Sequence, residues 1–376
     1  MADDGPVMGS VRTREAVRMI PATLGALVVA VLMVSSGLNS AVADAPASVA
    51  SDESTITVEY VPAYRGAAAQ RAAERRRDPR LTRPLYVDPT SRAAQAGPAF
   101  SLIGKRAQGF WLTDAYPTPS AARGAAAAYI DRAEGANRTP VLVVYNIPDR
   151  DCGQYSSQNG QVTASSYRAW VKGVAAGIKR SSPIVILEPD ALPFVGDPRC
   201  TDPGNRVALL KFAATTLTKA GAWVYLDAGH SGWRTAAHMA PLLVRAGVAE
   251  VRGFSTNVSN SRTTPAEHAF AGSLLSELQK RGVRSARYVV DTSRNGAGAQ
   301  GPANGDWCNP VAARLGTSPR LVFDGAFDGR LWIKPPGESD GPCNGGPNAG
   351  EFFPTGACRL LSGPTAYFDG QVCRPA

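Results

Sequence analysis

From residue 139 to residue 334 short apolar runs rich in β-branched residues alternate with longer segments of helical spacing, and this alternation restricts the fold more than any other feature of the chain. The runs read TPVLVVYN, SPIVILE, AWVYLD, GFSTN, ARYVVD and RLWIK. Between the earlier ones lie YRAWVKGVAAGIKR, NRVALLKFAATTLTKAG, TAAHMAPLLVRAG and AEHAFAGSLLSELQKRG. In the last, Phe270, Leu274, Leu275 and Leu278 recur at helical spacing and line one face. Strand, helix, strand, helix in that order specifies a parallel sheet with crossover helices. With this many units, closure into a β/α barrel is favoured over an open sheet.

Nearly every run ends on a polar residue: Tyr145 with Asp151, then Asp190, Asp227, Asn257, Asp291, and finally Lys334, Glu338 and Asp340. In parallel α/β folds the carboxyl ends of the strands converge on one rim, where chemistry is built. A single acid after a strand can simply cap the next helix. Repetition along the whole chain is not explained by capping. Only three histidines are present, which fits poorly with a catalytic metal centre. The segment GHSGW lacks the second glycine of a nucleophile elbow, so Ser231 is read as a local hydrogen-bonding residue. Trp111, Trp233 and Trp307 lie beside the rim segments, and indole faces stack on sugar rings while carboxylates bind hydroxyls. The plainer reading of any one tryptophan is core packing.

Ahead of this region Arg12, Arg14 and Arg18 precede the apolar stretch LGALVVAVLMV, and Ala41-Val42-Ala43 forms a small-residue cleavage site before Asp44. Residues 1–43 are therefore expected to be a secretory signal peptide, since an apolar stretch of 11 residues is shorter than a bilayer requires. No membrane span is expected after processing. Residues 44–83 read as an Arg- and Ala-rich leader or linker, with seven arginines between Arg65 and Arg83 against Glu74 and Asp78. No aromatics interleave with these arginines, which argues against nucleic acid and for a solvated or wall-contacting segment. The formal charge of the whole chain is +9. Residues 84–376 form the expected catalytic domain. Six cysteines, Cys152, Cys200, Cys308, Cys343, Cys358 and Cys373, follow the signal without any C-x-x-C, and in an exported protein they read as disulfides rather than zinc ligands.

Seven ordered motifs between Trp111 and Asp340, namely VVYNIPDRDCGQYSSQNG, ILEPDALPFV, YLDAGHSGW, GFSTNVSN, VVDTSRNGAG, DWCNP and LWIKPPGESDG, resemble glycoside hydrolase family 6. The resemblance implies an inverting cellulase, an endo-β-1,4-glucanase or cellobiohydrolase, on a single α/β domain. Its fold would be a distorted parallel β/α barrel with fewer than eight strands. It implies that Asp190 is the general acid and that Asp151 keeps this acid protonated. Asp340 matches the family's candidate base, with relay through water to Asp151 as the alternative. Tyr145 would crowd the reacting sugar out of its relaxed chair, and Asp227 would orient the acid. Trp111, Trp233, Trp307, His230, Asn257, Lys334 and Glu338 correspond to substrate-binding residues. For Lys334 and Glu338 the plainer reading is a salt bridge at a loop base. The family pattern pairs Cys152 with Cys200 and Cys308 with Cys343, leaving Cys358 and Cys373.

Neither cofactor nor metal is implied, and a monomer acting on β-1,4-glucan is expected outside the cell, free or associated with the wall. Two features depart from the resemblance. Ser261 stands where many members carry an aromatic, and no cellulose-binding module is recognisable. The short span between Cys308 and Cys343 favours an open cleft and internal cleavage. An exo-acting cellobiohydrolase and a non-catalytic glucan-binding wall protein are the alternatives.

Overall fold

The computed structural model describes residues 78–157, 162–178, 181–200 and 205–375. The signal peptide and most of the leader lie outside the described residues. Two short helices, α1 (Arg92–Gln95) and α2 (Ser101–Gly104), precede strand β1 (Phe110–Leu112) and helix α3 (Pro119–Gly135). Strand and helix then alternate through β2 (Val141–Val144), α4 (Ala164–Ile178), β3 (Ile184–Leu187), α5 (Arg206–Lys219), β4 (Trp223–Asp227), α6 (Ala236–Arg245), β5 (Gly253–Thr256), α7 (Thr264–Lys280) and β6 (Arg287–Asp291). A hairpin of β7 (Arg320–Asp324) and β8 (Phe327–Leu331) follows, then α8 (Pro354–Ser362) and a two-stranded ribbon of β9 (Tyr367–Phe368) and β10 (Cys373–Arg374).

The main sheet has the order β1-β2-β3-β4-β5-β6-β8-β7. Strands β1 to β6 and β8 pair in parallel, and β7 alone is antiparallel, at the edge. The distorted barrel thus has seven parallel strands, with an eighth strand added in the opposite sense. Alternation along each strand splits its side chains between two cores, as the two-residue period requires. Leu142, Val144, Val185, Leu187, Val224 and Leu226 face the helices, whereas Val141, Val143, Ile184, Ile186 and Tyr225 fill the barrel interior. Both faces are buried, which is why these strands read as continuous apolar runs.

Strand β1 does not ladder with β8. Instead the Gly109 N–H donates to the Trp332 carbonyl (2.9 Å), and the Trp111 indole Nε1 donates to the Ile333 carbonyl (2.9 Å), drawing the two edges together. A Cβ at Gly109 would stand 2.6 Å from the Ile333 oxygen, so this approach needs glycine. At the amino ends of the strands, buried Asp328 binds Arg252, Arg287 and the Tyr225 hydroxyl. The guanidinium groups of Arg80 (4.2 Å) and Arg252 (3.8 Å) both lie over the Trp223 ring. Arg80, counted in the leader by sequence, is thus buried in the domain and donates to the Pro183 and Gly221 carbonyls.

Three elements of the main sheet and its helices are absent from the sequence expectation, as are α1, α2, α8 and the β9–β10 ribbon. β1 has only three residues, α3 is so rich in alanine that its apolar face has little contrast, and β7 is a half-exposed edge strand whose apolar run is only three residues long. Helices α3, α6 and α7 start on Thr118, Thr235 and Thr263, whose hydroxyls accept backbone N–H groups of the first turn.

Candidate active site

Each acid singled out by sequence stands at the carboxyl end of a strand or in the loop that follows it. The loop after β3 carries Glu188-Pro189-Asp190, with Glu188 at φ 49° and Asp190 at φ 68°. Left-handed backbone at two acids around a proline costs on the order of 1–3 kcal/mol per residue and persists only where neighbours over-determine it. Here they do. The Glu188 N–H donates to the Val144 carbonyl (2.8 Å), and the Asp190 N–H donates to Asp227 Oδ2 (2.9 Å) at the end of β4. Asp227 also accepts from the Gly229 N–H (3.1 Å) and the Ser255 hydroxyl (3.1 Å). The buried Glu188 carboxylate turns back to accept from the Asn146 and Ile147 N–H groups, bracing the loop after β2 against the loop after β3.

Asp190 opens into a cleft of about 900 Å³ that Asp151 and Asp340 also line. Burial, then the charges of Asp227, Asp151 and Asp340, raise its carboxyl well above the usual range, with Arg294 opposing them. Burial pushes Asp151 up to about 6, against the Ser156 N–H that it accepts (2.8 Å) and the nearby Arg150. Burial likewise pushes Asp227 up to about 7. Asp340 behaves in the opposite way. Although burial works against it, its carboxylate is held below the usual range by Arg294 (2.5 Å) and Lys334 (3.1 Å), and it also accepts from the Asn309 N–H (2.8 Å). One acid that keeps its proton thus faces one carboxylate that keeps its charge.

Of the other residues expected at the site, Tyr145, Trp111, Trp233, Trp307, His230, Lys334 and Glu338 all line the cleft. The Tyr145 ring meets Trp111 edge-to-face at 5.3 Å and carries the Arg150 guanidinium 4.8 Å from its centre. Trp233 packs edge-on against Phe194 at 4.8 Å. Burial, with Arg262, lowers the His230 imidazole to about 4, and its Nδ1 accepts from the Gly232 N–H, which leaves Nε2 as the protonated nitrogen.

One expectation needs correction. Asn257 does not reach the cleft: it is fully buried and spends its amide on the Asp291 and Arg262 carbonyls and the Arg262 N–H. It is a brace under the cleft floor, at φ 65°. Lys334 pairs with Asp340 rather than forming a closed salt bridge with Glu338, and Glu338 meets Arg92 at 3.6 Å. Asp227 lies beneath the lining and reaches the site through the Asp190 backbone N–H and through its charge on the Asp190 carboxyl. Asp291 is also wholly internal, accepting N–H groups from Ser259, Ser293 and Lys334. Ser231 donates its N–H to buried Glu267, in keeping with its local role.

Sequence reasoning missed Arg294 and Arg150, and gave no role to Glu188, which ends the same apolar run as Asp190. Arg150 ties the site loop together, donating to the Tyr145 carbonyl (2.8 Å), the Ser156 carbonyl (2.6 Å) and Asp114 (2.8 Å). Its place beside Asp151 in DRDC was the available signal. Arg294 follows the end of β6 in DTSRN and had none of its own. The cysteines pair as Cys152–Cys200, Cys308–Cys343 and Cys358–Cys373. The first joins the loop bearing Asp151 to the loop following Asp190, and the second joins the segment of Trp307 to that of Asp340.

A family model described as Glycosyl hydrolases family 6 matches residues 83–363. Endoglucanase A of Cellulomonas fimi is 44% identical over 284 residues, covering 73% of this chain and 60% of that protein. Endoglucanase 1 of Streptomyces halstedii is 42% identical over 247 residues, covering 64% of this chain and 74% of that protein. Among solved structures, a Mycobacterium tuberculosis endoglucanase in complex with methyl-cellobiosyl-4-deoxy-4-thio-β-D-cellobioside is similar at TM-score 0.69 and 39% identity, covering 76% of this chain and 98% of that one. The chain thus spans about 60% of the length of the Cellulomonas relative.

Proposed function

The chain belongs to glycosyl hydrolase family 6, and from that premise we propose that it hydrolyses internal β-1,4-glucosidic bonds of cellulose or a related β-glucan with inversion. The observation that carries this reading is Asp190, held in left-handed backbone at the mouth of a tryptophan-lined cleft and surrounded by Asp227, Asp151 and Asp340. Ionising a fourth carboxylate in such company is costly, so Asp190 retains a proton for the glycosidic oxygen at neutral pH.

Inversion requires a water on the opposite face of the sugar and a carboxylate to receive its proton. Asp340 is a poor acceptor, because Arg294 and Lys334 neutralise it and lower its basicity. Asp151, raised to about 6, is the better proton acceptor, reached through water. Asp340 then serves as the anchor that holds Arg294 and Lys334 beside the acids. Tyr145, braced by Trp111 and Arg150, forms the wall against which the reacting sugar is distorted, and Asp227 positions the acid. Trp111, Trp233 and Trp307 act as platforms, with His230 Nε2, Lys334 and Glu338 as polar contacts.

Internal cleavage is supported by the sequence separation of 35 between Cys308 and Cys343 and of 48 between Cys152 and Cys200, which leaves little chain to roof the cleft. The endoglucanase relatives point the same way. Three disulfides fit an oxidising, extracellular setting with the signal peptide removed, and no helix among the described residues is long and apolar enough to cross a membrane. The test is hydrolysis of carboxymethylcellulose by wild type and Asp190→Ala. Wild type should lower viscosity early while releasing little soluble sugar, and the variant should lose about 10² to 10⁴-fold in rate. Cellobiose dominating from the first minutes would instead favour exo-action. An undiminished Asp190→Ala would assign the proton to another acid.

A further inference from the structure

Tyr155 lines the cleft beside the acids, yet no step above uses it. It is half exposed, at 50%, whereas the other large aromatics among the described residues are mostly packed away. Its ring stands 6.0 Å from that of Trp307, tilted by 46°, and the two come from different loops. The backbone also makes room for it: a Cβ at Gly341, next to Asp340, would fall 2.5 Å from Tyr155 Cβ and Cγ. Gly341 is at φ 145°, so the close seat of this ring depends on glycine. An amphipathic ring held partly in water beside a tryptophan presents a face suited to the apolar side of a sugar.

Tyr155 is also tied to the chemistry through its neighbour. The Ser156 N–H donates to Asp151 Oδ2 (2.8 Å), and the Ser156 carbonyl accepts from Arg150 Nε (2.6 Å). Whatever presses on Tyr155 presses on the peptide that holds Asp151.

We propose that Tyr155 is a sugar-stacking residue, its ring and that of Trp307 receiving one glucosyl unit beside Asp151 and Asp190, so that filling this position steadies the Asp151 loop. The inference rests on the β-glucan reading of the cleft. Stacking uses the ring face rather than the hydroxyl, so an aromatic replacement should serve and a methyl group should not.

The experiment measures KM and kcat on cellohexaose for the full chain and its Tyr155→Ala, Tyr155→Phe and Tyr155→Trp variants, with thermal melts confirming that each folds. Tyr155→Ala should raise KM about five- to tenfold, more than it lowers kcat, and Tyr155→Phe should recover most of that loss. Calorimetric titration of cellohexaose into Asp190→Ala and Asp190→Ala/Tyr155→Ala should show the same weakening without turnover. An unchanged KM and affinity in the alanine variants, or a phenylalanine variant as impaired as the alanine one, would overturn the stacking role. A wild-type protein that releases no sugar from cellohexaose would instead fail the glucan reading itself.

Discussion

At Asp190 the backbone and the charge are governed by the same neighbour. Asp227 accepts the Asp190 N–H and so helps fix the left-handed turn, while its own carboxylate makes ionisation of Asp190 harder. These two effects separate in Asp227→Asn. An amide oxygen can still accept from the Asp190 and Gly229 N–H groups, and its NH₂ can donate to the Ser255 hydroxyl, which can reverse its role. Removing a negative charge makes Asp190 lose its proton more readily, so the alkaline limb of the kcat/KM profile should move to lower pH with a modest loss at the optimum. A limb that stays in place or moves up would show that Asp227 acts by geometry alone. The position of Asp190 was legible because a polar residue closing an apolar strand has few places to go. Its surroundings were not. The pairing of Arg294 with Asp340 joins residues 46 apart in sequence, and no local pattern distinguishes Asn257, turned under the floor, from a residue facing substrate.

Among elements, the loops after β2 and β3 decide the geometry, and both are held from several directions. Glu188 bonds one to the other from below, and the Cys152–Cys200 bridge joins them from above, across 48 residues of chain. In the chain-entropy model a closure of that length contributes roughly 4 kcal/mol, much of it through the unfolded state. The barrel core, with its two apolar layers, does not depend on the bridge. Replacing both cysteines by serine should therefore lower Tm while leaving the far-ultraviolet circular dichroism native, and activity should fall at temperatures well below the new melting point. Activity lost only in step with unfolding would show that the bridge stabilises without positioning. Strands β2 to β6 and helices α4 to α7 were legible because burial on both sheet faces, or on one helix face, writes a strong apolar pattern. Helix α3 was not, since a surface of alanine has almost no amphipathic contrast, and β7 gains its place by pairing at an edge.

For the whole molecule, a cleft built from buried acids gives stability its own pH dependence. Burial raises Glu188, Asp227 and Glu338 to about 7 and Asp151 to about 6, all above their unfolded values near 4. Between these limits the folded state binds more protons than the unfolded one. Stability from these groups is fully present below about pH 4 and is lost as pH rises through 6 to 7. Asp340, with its lowered carboxyl, acts in the opposite direction at lower pH. Tm should therefore fall between pH 5 and pH 8, and a profile that rises over that range would contradict the burial of these carboxyls as neutral groups. The same set of acids carries the central claim, that a protonated Asp190 on one face of the sugar and a water-fed Asp151 on the other invert the anomeric carbon. Proton NMR of a fresh cellopentaose digest tests this most directly. The new reducing ends should appear first as the α-anomer and relax to the equilibrium mixture by mutarotation, whereas first appearance of the β-anomer would mean retention and would contradict the roles assigned to Asp190 and Asp151.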